Sequence, residues 1–156
     1  MAEREAILRL PGEGEEYRYA IATAFGKFGG DKSEGRVSCV ETTTPPKAGG
    51  PPLHTDDHDE MFVVQTGVMH FRVGEREFDA PMGSVLFVPQ GVPHTFANRG
   101  SHDVRMLWLF VPAGFERYFE ELTRVAPPGA PADPAKVAPV AARYGIEVLG
   151  PPLGVD

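Results

Sequence analysis

Residues 83–98 read GSVLFVPQGVPHTFAN. An apolar run, Val85 to Val88, enters a turn made of Pro89, Gln90, Gly91, Val92 and Pro93, and the chain leaves it at His94. The prolines fix φ, and Gly91 admits backbone angles closed to other residues, so the backbone that delivers His94 is stiff. In the strand that follows, alternation puts Phe96 and Asn98 on the same face as His94. A histidine on stiff backbone suits a metal ligand, whose donor atom must be placed within a few tenths of an ångström.

Upstream lies TPPKAGGPPLHTDDHDE, residues 44–60, a Pro/Gly-rich loop with two histidines and four acids that cannot be helical. Imidazole nitrogen and carboxylate oxygen are the ligand types taken by zinc, manganese, nickel and non-haem iron. If the extended geometry of the next strand reaches back through the loop, His54, Asp56, His58 and Glu60 share one face. That face continues as Phe62 and Val64, which suit the lining of a barrel, together with Phe96 and Met106.

The rest of the chain reads as β up to about residue 112. Ala6 to Leu10 is a short strand in an N-terminal arm (1–16), Tyr17 to Phe28 is a strand, Gly29 to Gly35 is a turn, and Arg36 to Thr44 is a second strand. MFVVQT (61–66) and VMHFRV (68–73) flank a turn at Gly67, and a turn at Gly74-Glu75 leads into REFDA. Val104 to Val111 is nearly continuous apolar sequence, which reads as a strand buried on both sides. Short strands at this spacing form a sandwich or barrel. In GFERYFEELTRV (114–125), Phe115, Tyr118, Phe119 and Leu122 fall at helical spacing. This helix either packs on the barrel or lids one end of its pocket. Asp133-Pro134 caps a second helical stretch that Pro139 should break or delay. The whole is read as one domain, 1–156, with a barrel core over about 17–112 and a helical extension over about 113–156.

Composition narrows the function classes. A net charge of −7 with no basic run makes the chain a poor nucleic-acid binder and gives no attraction to anionic membranes. The single cysteine, Cys39, has no partner for an internal disulfide and reads as a strand residue. The N-terminus lacks an apolar signal region and no run is long enough to span a membrane, so a cytoplasmic protein is expected. His70 and His102 read as non-ligands, and Asn98, Gly67, Gly83 and Gly91 as structural. Trp108 belongs either to the core or to a dimer interface.

Gly83, Pro89, Gly91, His94 and Asn98 match the second of two motifs that mark cupins, and His54, Glu60 and Gly67 fall in register with the first. The sequence thus resembles the cupin superfamily, and the run LHTDDHDEMFVVQTG with the later GFERYFEEL resembles its quercetin dioxygenase-like members. The resemblance implies an all-β fold, a double-stranded β-helix or jelly-roll barrel with one or two short C-terminal helices. It also implies one divalent metal ion (Fe, Ni, Mn, Cu or Zn) and, because cupins are often dimers, a homodimer. The motif departs from the family at two places. Its leading glycine falls on Ala48, and its second histidine falls on Asp56, with His58 two residues later. Three ligand sets stay open beyond His54, Glu60 and His94: His58 added, Asp56 added, or neither. The implied activity is a metal-dependent dioxygenase acting on a small aromatic or enolic substrate, with Glu60 also accepting the substrate's proton. A non-catalytic binding cupin and a metal-dependent isomerase or hydrolase remain as alternatives.

Overall fold

A computed structural model describes residues 5–156 and gives two antiparallel sheets facing each other, followed by two helices. The strands are β1 (Glu15–Tyr19), β2 (Ala22–Phe28), β3 (Ser38–Thr44), β4 (Ala48–Gly49), β5 (Leu53–Thr55), β6 (Asp59–Thr66), β7 (Val68–Val73), β8 (Arg76–Pro81), β9 (Val85–Val88), β10 (His94–Asn98), β11 (Val104–Val111) and β12 (Glu147–Gly150). The helices are a short α1 (Gly30–Ser33), α2 (Glu116–Val125) and α3 (Pro134–Arg143). One sheet runs β1-β2-β3-β11-β6-β9 and the other β12-β5-β10-β7-β8, with β4 also paired to β10. This is the jelly-roll barrel expected from the sequence.

The inner faces follow the period-2 pattern. Glu60, Phe62 and Val64 of β6 point inward, as do His94, Phe96 and Asn98 of β10 and Met106, Trp108 and Phe110 of β11. An aromatic cluster fills the space between the sheets. Phe62 lies 5.2 Å from Phe71, 5.1 Å from Trp108 and 5.9 Å from Phe96, ring centre to ring centre. Asn98 closes the far end of the motif as expected of a structural residue: its Nδ2 donates to the Thr44, Pro45 and His102 carbonyls, and its Oδ1 accepts from Gly100 N.

Five expectations need correction. Residues 6–10 form no strand; residues 1–4 of the expected arm lie outside the described residues. Tyr17 to Phe28 is a hairpin, because Tyr19 pairs with Ala22 across a two-residue turn with Ala20 at φ 48°. Such a turn normally carries Gly or Asn, so nothing in the sequence marks it. The Gly29–Gly35 turn contains the helical turn α1. β11 is buried on alternate residues only, since Leu107 and Leu109 on its outer face are half-buried; its Trp108 faces inward and belongs to the core. Finally, α3 runs unbroken through Pro139. Pro139 removes a single backbone donor, while Asp133 caps Ala135 N at 3.0 Å and Val140 and Ala141 bury the helix against its neighbours. Cys39 is buried, and burial pushes its thiol up to about 11, which makes it inert. Among the described residues no helix is long and apolar enough to cross a membrane.

One backbone contact fixes the loop ahead of the site. Gly50 N donates to Phe96 O at 2.9 Å, and a Cβ on Gly50 would lie 2.5 Å from that oxygen and 2.7 Å from the Phe96 ring. Gly50→Ala is therefore expected to lower stability in urea unfolding by about 1–3 kcal/mol, the usual range for overpacking. An unchanged midpoint would show that the loop adapts freely.

Candidate metal centre

The barrel brings His54, Asp56, Glu60 and His94 to one place, each buried, with one donor atom from each within 4.8 Å of all the others. Each arrives by a different local device. β5 and β10 pair His54 directly with His94, which sets the two rings side by side with centres 4.4 Å apart. Glu60 comes from the opposite sheet at the start of β6. Asp56 sits in the turn between β5 and β6, where its Oδ1 accepts from His58 N at 2.9 Å. The two motifs are tied together by main chain: Gly91 N donates to Asp56 O at 3.0 Å, and Gln90 N donates to Asp59 Oδ1 at 3.0 Å. Gly91 has φ 78°, so it supplies the left-handed turn that this contact uses.

The hydrogen bonds fix the tautomers. His54 Nδ1 lies 2.8 Å from Pro52 O, and His94 Nδ1 lies 2.9 Å from Val92 O. A carbonyl only accepts, so both Nδ1 atoms carry the proton and both Nε2 atoms present a lone pair. His94 Nε2 nevertheless stands 3.1 Å from Glu60 Oε2, and His54 Nε2 stands 3.7 Å from Asp56 Oδ2. The Trp108 indole N–H gives Glu60 Oε2 its one donor, at 2.8 Å. Glu60 Oε1 and Asp56 Oδ2 are buried with no hydrogen-bond partner. Two lone pairs and two carboxyl groups therefore converge with only two donors among them, the His58 N–H on Asp56 and the Trp108 N–H on Glu60.

Burial drives both histidines and Glu60 toward their neutral forms. It lowers His54 to about 4, helped by His94 beside it, and it also lowers His94. Both rings are thus neutral near pH 7, the form that binds metal. Glu60 is pushed well above the usual carboxylate range, by burial first and then by Asp56. A divalent cation resolves this arrangement. First-row ions bind such atoms at ~2.0–2.2 Å, so pairs of ligands lie up to about 4.3 Å apart. The donor set fits with small adjustment, and the backbone carbonyls on both Nδ1 atoms supply the outer hydrogen bonds that usually orient ligating histidines.

Of the sequence candidates, His54, Asp56, Glu60 and His94 come together and His58 does not join them. Its Nδ1 is 3.9 Å from Asp56 Oδ1, and its ring packs edge-on against Phe115 at 5.2 Å. Asp56 joins the cluster, held by the Asx-type bond to His58 N, while the largely buried His58 ring packs against Phe110 and Phe115 instead. His70 is paired with Asp79 and Glu77 at the surface, as befits a non-ligand.

An apolar cavity of about 640 Å³ reaches the cluster at His54. Phe62, Val64, Phe96 and Met106, expected to line a pocket, do not line it. They are packed into the solid core, with Phe62 edge-on to His94. The wall comes from Trp108, Phe115 and Tyr118, and from α3 and β12. α2 thus lends Tyr118 to the cavity wall while Phe119 and Leu122 pack it on the barrel. β12 matters twice, because Val148 pairs with His54 and also lines the cavity. No local signal in GIEVLGPP announces this contact with a strand about ninety residues earlier. A larger hollow of about 710 Å³, near Arg9, Lys32 and Arg117, holds none of these residues.

Zinc added to metal-free protein is expected to raise the melting temperature by about 5–10 °C at roughly a hundredfold excess over Kd. His94→Ala should abolish that rise while keeping the β circular-dichroism spectrum. An equal rise in the variant would remove His94 from the ligand set.

Residues 40–110 match the sequence model of the family described as Cupin domain. No curated protein matches the sequence. Among solved structures, an RmlC-like cupin from Shewanella frigidimarina aligns with a TM-score of 0.61 at 17% identity, over 72% of this chain and 96% of that one. KdgF from Halomonas sp. aligns at 0.55 and 16% identity, over 62% and 83%. Oxalate decarboxylase from Bacillus subtilis aligns at 0.56 and 16% identity, over 65% of this chain but only 28% of that one. At these identities the likeness is one of fold. The two facing sheets make this barrel a jelly roll, and its residues 40–110 are similar to the Cupin domain family.

Proposed function

We propose that the chain is a mononuclear metal-dependent dioxygenase of the quercetinase-like kind, acting on a small aromatic or enolic substrate. The observation that carries this reading is the junction at His54, which belongs to a cluster of four buried candidate metal ligands and also lines an apolar, aromatic-walled cavity. Sites that bind small molecules combine such a wall with a few convergent polar groups.

A divalent ion held by His54, Asp56, Glu60 and His94 supplies Lewis-acid or redox chemistry with positions left for substrate and dioxygen. The protein's own residues do the rest. Trp108 holds Glu60 in place through its indole N–H. Glu60, whose Oε1 is buried without a hydrogen-bond partner, would accept the substrate's hydroxyl proton. Phe115 and Tyr118 provide flat apolar surface for a ring and keep water out.

Plasma mass spectrometry of tag-free protein is expected to find about one iron, nickel, copper or manganese per chain. Oxygen uptake should then depend on an added flavonol or enol and fall at least a hundredfold in Glu60→Gln, the scale of a lost general base. A metal-loaded protein that consumes no oxygen across a panel of such compounds would overturn the dioxygenase and leave a metal-binding cupin.

A further inference from the structure

The charge of the site narrows what can enter it. Lys, Arg, Asp and Glu are all absent from the cavity wall, whose residues are mainly proline, alanine, glycine, aliphatic and aromatic. Its polar groups are few: the His54 ring, the Trp108 indole, already bonded to Glu60, and the Tyr118 hydroxyl. That hydroxyl makes no hydrogen bond among the described residues, so it is available to a ligand. An anion moved from water into such a wall loses its hydration and gains no partner.

The metal would normally offset that loss, but here it does not. A divalent ion bound by three histidines and one carboxylate keeps a net charge of +1. With Asp56 in the set, two carboxylates and two neutral histidines bring the centre to zero. A neutral centre gives an anion no net Coulomb attraction at long range.

We propose that the site is built to admit an uncharged, largely apolar small molecule and to reject anions, with Asp56 and the charge-free wall formed by Trp108, Tyr118 and α3 as the determinants. The inference rests on the metal reading for the charge of the centre and on the cavity for the rest. Asp56 thus acts as a selectivity element as well as a ligand. Oxalate, the dianion named in one structural neighbour, is excluded as a substrate on this argument.

Calorimetry on the zinc-reconstituted full chain at pH 7 tests this with a matched pair of probes, neutral 2-naphthol and anionic 2-naphthoate, alongside oxalate. Naphthol is expected to bind roughly tenfold or more tighter than naphthoate, with no heat from oxalate. Asp56→Asn, which leaves the loaded centre at +1, should narrow or reverse the preference. Ala138→Lys, on the exposed rim of α3, should do the same without touching the ligands and so locates binding in this cavity. Naphthoate or oxalate binding as tightly as naphthol would overturn the proposal, and so would failure of naphthol to bind. Zinc content measured on the same samples separates the two readings. Naphthol preference without zinc sinks the metal centre but keeps charge selection by the wall, whereas zinc without preference sinks only the selection.

Discussion

The constraint on which this structure turns is the meeting of four electron-rich groups in a space that offers two hydrogen-bond donors, the His58 and Trp108 N–H groups. Carbonyls on the two Nδ1 atoms commit His54 and His94 to presenting lone pairs inward. Asp56 and Glu60 add carboxylate oxygens without partners. A buried polar atom with no partner costs on the order of 1–3 kcal/mol, and more when charged. Folding supplies that free energy from the aromatic core, and a cation bound by these residues would return it.

The two sheets divide the work. One carries both histidines on paired strands, so their spacing is set by the sheet itself. The other carries Glu60 together with Trp108, whose indole both orients the carboxylate and forms cavity wall. Asp56 comes from the turn that joins the sheets, and the Gly91 and Gln90 amides hold that turn against the second motif. Packing between the sheets thus sets the positions of the four candidate ligands relative to one another. The helices and β12 then add an apolar cavity that reaches the candidate metal cluster at His54.

Particular residues show where the sequence was informative. His94 was legible because the prolines and glycine around it constrain the backbone locally. Glu60, Phe62 and Val64 were legible as one face because strand alternation is strict. That same alternation did not say whether the inward face borders a pocket or solid core, and Phe62, Val64, Phe96 and Met106 turned out to be core. Whether Asp56 or His58 faces inward was undecidable from spacing, since both alternate with Glu60. A hydrogen bond within the turn decided it. The Ala20 turn and the unbroken α3 were missed because each breaks a local rule at small cost.

The sequence by itself determined the strand periodicity, the turn-forced placement of His94, the candidate ligand types and an acidic charge balance. These are local properties, fixed by φ restrictions and side-chain alternation over a few residues. Only the tertiary structure decided which acid completes the cluster, that Trp108 serves Glu60, and that Val148 lies beside His54 to help wall a cavity without charge. Those depend on register between strands distant in sequence, which is set by how two sheets and two helices fill space together.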